Sequence, residues 1–85
     1  MYTATMSRKH LKPKVSVIDW TAVGRRIRSL RGFDMTQADF ANRIGVSQSY
    51  LSAVEHGRNE IGAEVLLAIS REFDKSLEWL LTGEQ

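Results

Sequence analysis

The 85-residue chain has no cysteine, a single proline and no long apolar run. Without cysteine there is neither a disulfide framework nor a thiolate zinc site, so apolar packing alone must supply stability. A reducing cytoplasm suits that composition. The N-terminal stretch "MYTATMSRKHLKPKVSV" lacks the apolar segment of a secretory signal, and no stretch approaches the roughly 20 apolar residues of a membrane span. The expectation is a cytoplasmic protein with no membrane association. Catalytic sets are missing too: His10 and His56 stand isolated with no cysteine nearby, and no Ser-His-acid set or phosphate-binding glycine loop stands out. Neither a metal site nor an enzymatic role is therefore expected. A chain this short buries only about 60% of its unfolded surface, which favours one economical core over an elaborate cleft.

What is present is divided by charge. The net charge is +2, but residues 1–58 hold ten Lys or Arg against four acids, a net +6, whereas residues 59–85 hold two against six, a net −4. A basic front and an acidic back suit a protein that offers one side to a polyanion, with ordinary solvated faces as the competing explanation. Arg8, Lys9, Lys12 and Lys14 fall with Pro13 in a stretch without periodicity. That predicts a flexible basic arm over residues 1–17, followed by one domain over residues 18–85.

The domain reads as helical throughout. Asp19 suits the N-cap of a helix to Leu30 or Arg31, with Trp20, Val23, Ile27 and Leu30 on one face. "GFD" breaks the pattern. Thr36 starts a second helix with Asp39 three residues on, a capping-box spacing, and Phe40, Ala41 and Ile44 face inward. Gly45 suits a left-handed helix end, Val46 plugs into the core, and Ser47 caps a third helix to about His56 with Leu51 and Val54 inside. A fourth helix is expected over residues 62–73, with Val65, Leu66, Ile69 and Phe73 inward, and "SLEWLLTG" makes a short fifth between Ser76 and Gly83. Trp20 and Trp79 lie on apolar stripes, which marks them as core or dimer-surface residues rather than stacking platforms. No strand pattern and no internal repeat appears.

Two short helices joined by a three-residue turn around glycine form the helix-turn-helix pattern, whose second helix lies in the DNA major groove. Counted from Gln37, apolar Phe40, small Ala41, turn Gly45 and the anchors Leu51 and Val54 all fall in place. Over about residues 20–83, including "RIRSLRG", "TQADFA", "GVSQSYLSAVEHGR" and "SLEWLLTGE", the chain resembles the Cro and lambda-repressor family of phage and bacterial regulators, also called the xenobiotic-response-element family. The resemblance implies an all-α, five-helix DNA-binding domain that acts as a homodimer on a double-stranded operator, without catalysis or cofactor. It also implies that Gln48, Ser49 and Ser52 contact bases, and that Gln37 touches a phosphate and braces the reading side chain. Arg31 and Glu55 match a pair that joins the first and third helices in several members. Here "LRGFDMTQ" departs from the family, being one residue shorter between Arg and Gln than the commoner spacing.

A neutral tip on the third helix has a physical rationale. A long cation there would bind any phosphate, whereas glutamine bonds adenine N6 and N7 together and serine suits either base edge. Ser47 is also explained by capping alone. Tyr50 either donates to a phosphate or lies along the surface, and Arg43, Arg58, Asn59 and His56 stand at helix ends where backbone contacts are common. The expected backbone set is Gln37, Ser47, Tyr50, Arg43, Arg58 and Asn59. "SLEWLL" holds more large apolar groups than so short a helix can turn to one core, which predicts that Trp79 or Leu80 protrudes as a dimer patch. A sequence-specific transcriptional regulator, more often a repressor, is the leading reading; an antitoxin-type module that grips a protein partner and binds DNA for autoregulation is the alternative. With Gln85 soon after the fifth helix, no separate ligand-sensing domain is expected, and any protein partner is left open.

Overall fold

A computed structural model describes residues 17–84, which form five α-helices with no strand among them. The helices are α1 (Trp20–Arg31), α2 (Gln37–Ile44), α3 (Gln48–Glu55), α4 (Ala63–Phe73) and α5 (Leu77–Thr82). Of the arm expected over residues 1–17, only Val17 is described, and it is exposed; the rest lies outside the described residues.

Local sequence sets the helix starts. The first amides of a helix lack intrahelical acceptors, and a short polar side chain ahead of them supplies one. Asp19 accepts from the Ala22 amide, Ser47 from Tyr50 and Ser76 from Trp79. Thr36 and Asp39 form a reciprocal capping box at the start of α2. Helix α4 differs: Gly62 precedes it with no side-chain cap, and Glu64 in its first turn opposes the positive helix end instead. Two boundaries move by one residue from expectation. Gly62 is extended, so α4 begins at Ala63, and His56 has left helical geometry, so α3 ends at Glu55.

The core takes Val23 and Ile27 from α1, Phe40, Ala41 and Ile44 from α2, Leu51 and Val54 from α3, Leu66 and Ile69 from α4, and Leu80 from α5. Ile61, in the loop before α4, is also buried; its position outside any helical stripe hid it from periodicity. The Phe40 and Phe73 rings stack with centroids 4.6 Å apart and planes 7° from parallel, joining α2 to α4. Val46 packs against this cluster from the turn after α2.

Two close approaches determine where α3 and α5 sit. At Gly24, in the middle of α1, an added Cβ would run into the Val54 and Glu55 carbonyl oxygens, so α1 and α3 touch backbone to side-chain-free backbone. Helix α5 packs on α1 and α4. The Arg26 guanidinium donates to the Leu80 carbonyl at 3.0 Å, tying the helix to α1.

That docking corrects one expectation. Leu80 does not protrude; it is fully buried, because α5 meets α1 along the Leu80 side. Trp79 is half-buried with the Lys75 ammonium 5.1 Å from its ring centroid, and Leu77 is the exposed member at 41%.

Leu80→Ala is therefore expected to cost about 2 to 5 kcal/mol, whereas Leu77→Ala stays within about 0.5 kcal/mol. Separate thermal melts read both. Gly24→Ala is expected to cost about 1 to 3 kcal/mol through overpacking, against alanine's better helix propensity; a melt unchanged or raised would contradict the contact.

Candidate nucleic-acid interface

The turn between α2 and α3 begins with Gly45 in the left-handed region at φ 82°. Its amide donates to the Asn42 carbonyl at 3.3 Å, and the Val46 amide donates to Ala41 at 3.0 Å. This Schellman-type ending closes α2 and drops Val46 onto the core, so that the next residue, Ser47, starts α3. With Leu51, Val54 and Glu55 facing inward, Ser49 takes the opposite side of the helix, while Gln48 and Ser52, one turn apart, flank the buried stripe on the edge it shares with Glu55. Gln48 and Ser49 are exposed and Ser52 is half-exposed.

Gln37, Gln48, Ser49, Ser52, Ala53 and Arg58 line one shallow concavity. Gln37 arrives from the first turn of α2. Arg58 arrives because α3 ends in a second Schellman-type turn, its amide bonding the Ala53 carbonyl and that of Gly57 the Val54 carbonyl, both at 3.0 Å. Gly57 is at φ 73°, and a Cβ there would press on Thr21 of α1. Only glycine fits both demands.

The other candidates are placed differently. Ser47 and Tyr50 share a neighbouring groove with Val46, Gly62 and Val65, and the Ser47 hydroxyl accepts from the Tyr50 amide at 3.0 Å. Arg43 lies 3.7 Å from Glu72 of α4 and does not line the concavity. Asn59 is exposed in the following loop. His56 Nδ1 lies 2.7 Å from the Ser52 carbonyl and so carries the proton that it donates.

Behind the concavity runs a connected set of polar side chains. Arg31 donates twice to Glu55, from Nε to Oε2 at 3.1 Å and from Nη2 to Oε1 at 2.8 Å. The pair is bidentate and sheltered, its side chains 16% and 2% exposed. The short "RGFD" turn thus leaves Arg31 facing Glu55. Gln37 Nε2 donates to the same Glu55 Oε1 at 3.0 Å, and Gln48 Nε2 lies 3.4 Å from Gln37 Oε1. Burial by itself raises the Glu55 pKa; the hydrogen bonds from Arg31 and Gln37, with the charges of Arg31 and Arg28, outweigh it and hold the carboxyl below its ordinary value. The Glu55 hydrogen bond, chiefly, raises Arg31 in turn.

Sequence reasoning did not single out Gly24 or the link from Glu55 to Gln37. A signal for Gly24 existed, since glycine inside a helix costs about 1 kcal/mol relative to alanine and needs a reason.

A family model described as helix-turn-helix matches residues 27–80. The chain belongs to this helix-turn-helix family. It is similar to the Propionyl-CoA carboxylase regulator of Cereibacter sphaeroides, 37% identical over 62 residues that make 72% of this chain and 13% of that protein. It is also similar to Antitoxin PezA of Streptococcus pneumoniae, 36% identical over 55 residues, 64% of this chain and 35% of that one. The chain thus spans a minor part of the curated relatives it matches. Among solved structures, the P22 c2 repressor protein in complex with synthetic operator 9T superposes with a TM-score of 0.67 at 35% identity, covering 73% of this chain and 96% of that one. The helix-turn-helix fold here is that of lambda- and P22-type repressors, a fold of DNA-binding regulators. No described helix is long and apolar enough to cross a membrane.

The ion pair generates two expected outcomes. Arg31→Met leaves the more deeply buried carboxylate uncompensated and costs about 3 to 5 kcal/mol, while Glu55→Gln leaves an arginine with an edge to water and costs less, about 1 to 3 kcal/mol. Chemical denaturation ranks them. Because Glu55 has a lower pKa folded than unfolded, its contribution is complete above the unfolded value, about 4.3, and is lost as pH falls through the folded value. The stability gap between wild type and Glu55→Gln should be flat above about pH 5 and close on acidification.

Proposed function

We propose that the chain is a sequence-specific transcriptional regulator that binds double-stranded DNA in the cytoplasm as a homodimer, with α3 in the major groove and no catalytic or cofactor chemistry. One observation carries the reading: Gln48, Ser49 and Ser52 line a single concavity flanked by Gln37 and Arg58. Neutral donors and acceptors in the middle match base edges, and a cation at the margin meets phosphate. Gln48, Ser49 and Ser52 are assigned to bases. Gln37, Ser47, Tyr50, Arg43, Arg58 and Asn59 are assigned to the backbone, Arg43 by giving up its exposed contact with Glu72. The likeness to a repressor solved with a synthetic operator supports the same reading.

Dimerisation follows from information. One recognition helix spans only a few base pairs, and two copies about 34 Å apart on a palindrome double the contacts. Leu77, which is exposed, and Trp79, half-buried like Leu81, are the surface offered for it. The 36% identity to an antitoxin favours a second reading, in which the chain also holds a protein partner and binds DNA to control its own synthesis.

Duplexes selected from a random pool give the test. Gln48→Ala is expected to weaken the best selected duplex by about 1 to 3 kcal/mol while barely changing a scrambled one, measured by anisotropy at fixed salt. An equal loss on both would reassign Gln48 to the backbone. Sedimentation at saturating protein should find two copies per selected duplex, and a single copy would end the dimer reading.

A further inference from the structure

We propose that Glu55 is a positioning residue for base reading: as a carboxylate locked by Arg31, it fixes which way round the Gln37 and Gln48 amides sit, and thereby which base edge Gln48 matches. The proposal rests on the reading of Gln48 as a base contact.

The argument is one of polarity. An ionised carboxylate accepts hydrogen bonds and cannot donate them. Glu55 is kept ionised by two bonds from Arg31, so the Gln37 group 3.0 Å from Oε1 must be the amide nitrogen. The opposite rotation would press two acceptors together. With its nitrogen committed inward, Gln37 turns its oxygen to the concavity, and that oxygen in turn accepts only. The Gln48 atom 3.4 Å away must then be nitrogen as well. Direction therefore passes from a buried charge through two neutral side chains to the exposed tip of α3.

The consequence is chemical. Gln48 spends one N–H on Gln37 and keeps a second N–H beside its carbonyl oxygen. A donor and an acceptor side by side complement N7 and N6 of adenine. An amide free to turn would offer its groups in either order and discriminate less. Glu55, with its side chain 2% exposed, is too deep to touch the duplex itself, and any effect it has on base choice must travel through this relay.

The test uses the full chain, one selected duplex and one scrambled duplex of equal length at fixed salt, with wild type, Glu55→Gln, Gln48→Ala and the double variant. Glutamine at 55 replaces one of the two acceptor oxygens with an NH2 donor and weakens the demand that Gln37 present its nitrogen. Glu55→Gln should lower the ratio of selected to scrambled affinity about fivefold, and should lower it no further when Gln48 is already alanine. An equal loss on both duplexes, or the same fivefold loss in the Gln48→Ala background, overturns the proposal. Should Glu55→Gln melt below the assay temperature, Gln37→Met breaks the relay while sparing the ion pair. Its lost backbone contact weakens both duplexes alike, and the ratio must still fall; an unchanged ratio overturns the proposal. A Gln48→Ala variant that keeps the wild-type ratio overturns the base-reading role as well, whereas a drop with Gln48→Ala and none with Glu55→Gln overturns the positioning role alone.

Discussion

The bidentate pair between Arg31 and Glu55 is the contact on which the rest of the structure turns. It joins the last turn of α1 to the last residue of α3, and through Gln37 it takes in the first residue of α2. Apolar contacts hold helices together but tolerate sliding and rotation, whereas a planar guanidinium facing a planar carboxylate accepts few geometries. A well-packed apolar substitute would give similar stability. What it would not give is a direction. The pair sits behind the concavity that Gln37 and Gln48 line, so on the proposed reading one charge serves both packing and base choice.

Around it the domain uses backbone proximity rather than bulk. Gly24 lets α1 lie against the carbonyls at the end of α3, and Gly57 folds the chain back beside Thr21. Both press the recognition helix onto α1, leaving its other side open. At the far end, Arg26 reaches from α1 to the Leu80 carbonyl and holds α5 in place. Helix α1 is thus the common support for α3 and α5, and its arginines divide the work: Arg31 toward the reading side, Arg26 toward the other.

Much of this was legible in the sequence because the signals were local. Asp19, Thr36 with Asp39, Ser47 and Ser76 all stand where a cap is needed, and caps depend on neighbours three residues away. Spacings of three and four gave the inner faces of α1 to α4. Reasoning failed where an answer depended on a distant partner. Leu80 or Trp79 was expected to protrude until α5 met α1, where Leu77 is the exposed member instead, and Ile61 had no helical register to betray it. The site divides on the same line. Gln37, Gln48, Ser49, Ser52 and Arg58 gather because helix period and turn geometry bring them together, whereas Arg43 is drawn to Glu72, a residue 29 positions on in the chain.

Helix α3 carries its buried and its exposed side chains on different arcs, with Gln48 on the border beside Glu55. Leu51, Val54 and Glu55 are buried, and Ser47 is occupied by its cap. Ser49 makes no side-chain bond to the described residues, and Ser52 contributes only its carbonyl, to His56. Exchanging either side chain costs the fold little, while exchanging Gln48 removes its contact with Gln37. Under the proposed assignment the scaffold is one that can be retargeted: positions 49 and 52 can be rewritten for a different operator without redesigning the protein that carries them, with Gln48 retained as the fixed letter.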